Sequence, residues 1–148
     1  MKKLNVGVIT GSKSDMPIVE KVTAMLSEIG LSYEVLVASA HRTPEKVITF
    51  AKSSEKKYDV IIAIAGMAAA LPGIVAAHTT IPVIGVPVAS KNLQGQDALF
   101  SIVQMPPGVP VACVAIDGGK NAAILAAQII GLSEPKIKQK LKILKKIK

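Results

Sequence analysis

Residues 37–44 read VASAHRTP and set His41 beside Arg42. An unperturbed imidazole titrates near ~6.5, so such a group takes and returns a proton at neutral pH. A guanidinium next to it offers a planar fork for phosphate or carboxylate. Two further stretches carry compatible chemistry. GSKSD (11–15) supplies the hydroxyl donors Ser12 and Ser14 together with the carboxylate Asp15. AGMAAALPG (65–73) is small and apolar around Gly66. Asp15 repels a phosphate, but it suits sugar hydroxyls, as acidic residues do with ribose in dinucleotide folds. Taken together, these residues would move a proton on a bound, phosphorylated substrate.

Each piece has a plainer explanation when taken alone. Ser14-Asp15 is a common helix cap, Arg42 a solvated surface charge, and His41 a structural histidine. Neither GxxxxGK[ST] nor GxGxxG occurs, so GSKSD by itself is a weak phosphate motif. No Ser-His-Asp spacing is present. The single cysteine, Cys113, lies in VPVACVAI and reads as a core thiol, not a nucleophile. No cysteine–histidine cluster suggests zinc, and the chemistry needs no metal.

The elements that would position these residues follow from hydrophobic periodicity. Apolar, β-branched runs at Leu4–Thr10, Tyr33–Ala38, Asp59–Ala65, Ile81–Val88 and Pro110–Ile116 predict five strands. Between them, helical patterns cover Asp15–Ile29, Pro44–Ser53, Ala68–His78, Ala98–Gln104 and Asn121–Ile130, with a last one over Glu134–Ile147. Gly30 fits a C-cap, Thr43 an N-cap and Pro44 a first helical position. Strands that are apolar throughout and alternate with helices predict a parallel five-stranded sheet covered on both faces, an α/β/α three-layer sandwich. In such a sheet the loops after strands one, two and three open on the same edge, each leading into a helix N-terminus that favours anions. That shared edge makes Ser12, Ser14, Asp15, His41 and Arg42 more plausible as one site than as separate accidents.

The 148 residues suit one domain. We divide the chain into an α/β catalytic domain over 1–131 and a basic helix over 132–148. Half the residues are hydrophobic and the mean hydropathy is +0.46, an apolar surplus that predicts subunit interfaces. The net charge is +8, much of it in PKIKQKLKILKKIK. Aromatics make up only 3% with no Trp, which supplies few stacking platforms for nucleic acid. The uncharged run Val60–Ala77 is long enough to raise the question of a membrane span. Gly66, Pro72 and Gly73 interrupt it, so a strand, a turn and an Ala-rich helix explain it better. The apolar run after Lys3 is short for a secretion signal and fits a buried strand. The expected compartment is the cytoplasm, with neither nucleic acid nor membrane as partner.

GSKSD, SAHRTP and AGxAAxLPG, in this order, resemble the N5-carboxyaminoimidazole ribonucleotide mutase family of de novo purine synthesis, and specifically its class I, mutase type. PVIGVPV, LFSIVQMPPGVPVACVAI and NAAILAAQI extend the resemblance to about Ile130. It implies a flavodoxin-like fold, a homo-octamer with sites at subunit interfaces, and no cofactor. It also implies that Ser12, Asp15 and Arg42 hold the ribose phosphate of a ribonucleotide substrate. Ser14, Ser39 and the backbone around Gly66 would line the same pocket, with His41 transferring the proton. The reaction implied moves a carboxylate from N5 to ring carbon C4 by release and recapture of carbon dioxide. One position departs from the pattern. The family usually reads AAHLPG, and this chain has Ala70 in the histidine's place; Met67 stands where the family often has Gly. Activity is expected to survive at a reduced level.

Other readings remain open at this level. A carboxylase using aminoimidazole ribonucleotide and free carbon dioxide is the nearest, and a non-catalytic nucleotide-binding module is the rival of another class. IDGGKNAA (116–123) suggests a second phosphate loop, although a turn before an Asn-capped helix is the simpler expectation. Ile137, Leu141, Leu144 and Ile147 form a narrow apolar stripe among lysines. It could serve a membrane-surface or nucleic-acid helix, but the resemblance implies a terminal helix that packs on a neighbouring subunit, the preferred expectation.

Overall fold

Strand residues alternate between two separate cores. Val6, Val8, Val60, Ile62, Ile64, Ile84 and Val86 point to one, while Ile9, Ile61, Ala63, Ala65 and Val83 point to the other. The two-residue period of a strand and a cover on both faces require this arrangement. The computed structural model describes residues 5–146. Five strands, β1 (Val6–Thr10), β2 (Tyr33–Val37), β3 (Val60–Gly66), β4 (Val83–Val88) and β5 (Ala112–Cys113), form one parallel sheet in the order β2-β1-β3-β4-β5. This is the flavodoxin-like doubly wound order, whose switch point lies between β1 and β3.

The helices are α1 (Met16–Ile29), α2 (Pro44–Ser53), α3 (Leu71–Ala76), α4 (Gln96–Val103), α5 (Gly119–Ile130) and α6 (Pro135–Leu144). α1 and α5 cover the first face of the sheet, and α2, α3 and α4 cover the second. On α1, Ile18, Val19, Val22, Met25, Leu26 and Ile29 are all buried, the stripe that the sequence predicts. Gly30 ends the helix in a left-handed conformation (φ 85°), with its N–H and that of Leu31 returning to Leu26 O. Gly7 has no side chain because the buried Tyr58 ring occupies that space; a Cβ there would lie 2.7 Å from Tyr58 Cδ2. The Tyr58 hydroxyl donates to Glu34 Oε2 at 2.7 Å.

Several boundaries differ from the sequence reading, each for a local reason. α3 begins at Leu71, not Ala68, because Met67 turns the chain through a left-handed conformation (φ 56°) and Pro72 occupies the first turn. β5 shrinks from the expected Pro110–Ile116 to two ladder residues, as Pro110 has no N–H to donate and the chain beyond Val114 bends into a turn. The N-cap of α5 is Gly118, so Asn121 lies inside the helix and caps nothing. Thr43 stands at the N-cap of α2 without a side-chain cap bond. Cys113 is only half-buried, on the edge strand, and burial raises its thiol above the ordinary value. Leu4 and Ile147, the outer ends of the first predicted strand and the last predicted helix, lie outside the described residues.

Along α6, Leu141 is buried, and Ile137 and Leu144 rest on the α1/α5 side of the same chain. Lys140 Nζ donates to Ile29 O at 2.7 Å. Among the described residues no helix is long and apolar enough to cross a membrane.

Candidate active site

β1 ends at Thr10, a fully buried threonine. Its hydroxyl lies 3.4 Å from Ser12 O and 3.5 Å from Asp15 Oδ2, which ties the following turn to the strand end. Ser12 is extended, and its Oγ accepts from Ser14 N at 3.2 Å, capping a 3-10 turn over Lys13–Asp15. The capping bond expected of Ser14-Asp15 is therefore made by Ser12; Asp15 occupies the N-cap position of α1 without bonding its N–H groups. Ser12 Oγ and Ser14 Oγ are 2.8 Å apart. One hydroxyl hydrogen of that pair is left to donate outward. Burial raises the Asp15 carboxyl above its ordinary value. The Thr10 hydroxyl pulls it partly back, and the negative charge of Asp117 adds to the rise.

The loop after β2 is locked by Thr43, whose Oγ1 accepts from Ser39 N (2.9 Å) and donates to Ser39 O (3.2 Å). Ser39 Oγ in turn accepts from Arg42 N at 3.2 Å. Arg42 Nη2 then reaches Gly11 O at 3.3 Å and joins this loop to the one after β1. Only one of its five N–H donors is used there, so the rest of the fork can meet an anion. His41 is exposed at the cavity wall, and its ring makes no hydrogen bond to another described residue.

These loops and the one after β3 enclose a cavity of about 620 Å³ at the β1/β3 switch point. That volume suits a small-molecule ligand. Ser12, Ser14, Asp15, Ser39, His41, Arg42 and Gly66 all line it. Ala65, Ala68, Ala69 and Leu71 supply an apolar wall, and Ala70 sits beside them. Sequence reasoning missed a fourth contributor: Val88, Ala89 and Ser90, at the end of β4 and in the loop beyond it, also line the cavity. The signal was present in PVIGVPVAS, since a fourth parallel strand opens its loop on the same edge. Left-handed non-glycine residues gather around this edge: Met67, Gln94 and Asp117 lie in the loops after β3, β4 and β5. Among the described residues no group of three or more His, Cys, Asp or Glu is placed to hold a metal. His78 lies off the cavity, with its Nδ1 2.8 Å from Ile74 O.

The family model described as AIR carboxylase matches residues 5–148. The chain belongs to this family. Its relatives include a Methanocaldococcus jannaschii protein that is 59% identical over 134 residues, covering 90% of this chain and 83% of the relative. A Pyrococcus horikoshii protein is 55% identical over 138 residues, covering 93% and 78%. Both carry the name N5-carboxyaminoimidazole ribonucleotide mutase. Among solved structures of the family, Treponema denticola PurE superposes with a TM-score of 0.87 at 34% identity, covering 95% of this chain and 89% of the other. The family's fold is thus the α/β sandwich described above.

Proposed function

We propose that this chain is a mutase that converts N5-carboxyaminoimidazole ribonucleotide to 4-carboxy-5-aminoimidazole ribonucleotide in de novo purine synthesis. In this reading Arg42, Ser12 and Asp15 receive the ribose phosphate, the guanidinium on the phosphate and the carboxylate on sugar hydroxyls. Ser14, Ser39 and Gly66 complete the wall around it. The N5–carboxyl bond breaks and releases carbon dioxide, which stays against the alanines of the loop after β3. Ring carbon C4 attacks it and forms the new carbon–carbon bond. C4 then carries both a proton and the carboxylate. His41 removes that proton and the exocyclic nitrogen regains one, so the isomerisation balances without a cofactor. Retaining carbon dioxide requires a water-poor enclosure, which small apolar side chains can form.

The observation that carries this reading is the exposed His41 ring, bonded to no other described residue, beside a cradle of hydroxyls and guanidinium in one cavity. It occurs in a chain 55–59% identical to proteins named as mutases. We further propose a homo-octamer acting in the cytoplasm. The large apolar side chains left exposed, Leu93, Phe100 and Val103 among them, support burial between subunits. The test is to supply N5-carboxyaminoimidazole ribonucleotide to the purified chain and follow the ultraviolet change. Turnover that is independent of added bicarbonate and lost in His41→Asn is expected. Turnover only from aminoimidazole ribonucleotide with bicarbonate would replace the mutase by a carboxylase.

A further inference from the structure

The sequence IDGGK, which resembles a phosphate loop, performs a different task in the fold. Asp117 lies in the left-handed region (φ 59°), a conformation that disfavours a side chain, with aspartate and asparagine among the residues that adopt it best. Three bonds hold it there. Its N–H donates to Pro87 O at 2.8 Å, its carbonyl accepts from Gly119 N at 2.9 Å, and its Oδ1 accepts from Ala89 N at 2.9 Å. Pro87 and Ala89 flank Val88, and Val88, Ala89 and Ser90 line the cavity. The neighbouring Ile116 closes against the same loop from the other side: a Cβ on Gly95 would lie 2.6 Å from Ile116 Cγ2 and 3.2 Å from Ala89 Cα. Gln94 N returns to Ser90 O at 2.9 Å. The segment 87–95 is thus gripped by residues 116 and 117 at both ends.

We propose that Asp117 is a positioning residue for the mutase cavity, its carboxylate fixing the Ala89–Ser90 wall against which the substrate rests. The inference rests on the function proposed above. Asp117 does not line the cavity; it acts through the Ala89 amide, and the effect of its charge on Asp15 is lost equally in both variants below. A left-handed aspartate at this point has a reason to persist, because from that backbone its carboxylate reaches Ala89 N. Strain retained beside a site is the pattern expected of a device that sets geometry. Gly119 lets the start of α5 press on α1, where a Cβ would lie 2.8 Å from Ile18 O.

Two substitutions separate positioning from general support. Asp117→Gly relieves the backbone and removes the acceptor, whereas Asp117→Asn keeps an oxygen acceptor in a residue that tolerates the same conformation. Asp117→Gly is expected to keep its melting temperature near that of the unmodified chain, raise KM by about tenfold and change kcat much less, as loss of one charge-assisted hydrogen bond at a binding wall would. Asp117→Asn is expected to recover most of that KM. Hydrogen exchange at the Ala89 amide needs no substrate and should quicken in Asp117→Gly but not in Asp117→Asn. Unchanged KM and unchanged Ala89 exchange in Asp117→Gly would overturn the proposal, as would an Asp117→Asn variant as impaired as the glycine one. If the unmodified chain turns nothing over, the function fails while the exchange result still decides whether Asp117 braces the wall.

Discussion

Replacing His41 by Asn should separate catalysis from folding cleanly. The ring is exposed and bonds to no other described residue, so its removal leaves no buried group unsatisfied and opens no cavity. Substitutions of that kind change stability by at most about 0.5 kcal/mol. In a chain of this size that is a melting-temperature shift of about 1–2 °C. A positioned acid–base group, by contrast, contributes roughly 10²- to 10⁴-fold to rate. At about 1.36 kcal/mol per decade, the barrier should rise by about 3–5 kcal/mol. The proposed ribose-phosphate cradle of Arg42, Ser12 and Asp15 shares no hydrogen bond with the ring, so substrate should still bind. The assay is paired: thermal melting and calorimetric titration with the product on one side, ultraviolet turnover on the other. Turnover within tenfold of the unmodified chain would refute the role given to His41. A fall in melting temperature of more than about 4 °C would refute the claim that the ring is structurally idle.

Ala70→His should raise kcat/KM by about tenfold, the worth of one added hydrogen-bonding group at the cavity wall; steady-state kinetics showing no gain would mean that the cavity has no use for a second imidazole. Asp15→Asn should abolish tight substrate binding yet stabilise the chain at neutral pH. The raised carboxyl means that the native state holds its proton to higher pH than the unfolded chain, so stability falls as pH climbs from the ordinary value of 3.8 through the raised one. The gain from Asn should therefore vanish at pH values below that window, and melting curves across pH that run parallel would contradict it. Gly7→Ala drives a methyl into the buried rings of Tyr58 and Phe50, the Phe50 Cζ being 3.0 Å from the new carbon. Overpacking of this kind costs about 1–3 kcal/mol, a melting temperature lower by roughly 3–10 °C, which calorimetry would register.

The sheet could be read from the sequence because its inner strands β1, β3 and β4 are apolar on both faces, and two covered faces leave few alternatives to a parallel order. The meeting of His41, Arg42 and the serines followed from that order alone, since parallel strands send their loops to one edge. What stayed hidden depends on choices between competing hydrogen bonds. Thr43 is at a cap position, yet its hydroxyl is taken by Ser39, and Ser12 performs the capping expected of its neighbours. No local pattern announces that Asp117 will bend left-handed to reach Ala89, twenty-eight residues earlier. The short β5 and the late start of α3 likewise follow from prolines whose consequence depends on which neighbour needs an N–H.

The bond between Lys140 and the carbonyl of Ile29 bears on how firmly the serine turn at the cavity is fixed. Gly30 makes the approach possible: a Cβ there would lie 2.5 Å from Lys140 Nζ. The fourteen residues of α1 span about 21 Å, and its opposite end carries the turn with Ser12, Ser14 and Asp15. Anchoring one end of a stiff helix narrows the arc through which its other end can swing. Clipping the last helix away, far from any reacting atom, should let the serine turn wander and blur the grip on a sugar phosphate well before the sheet itself comes apart.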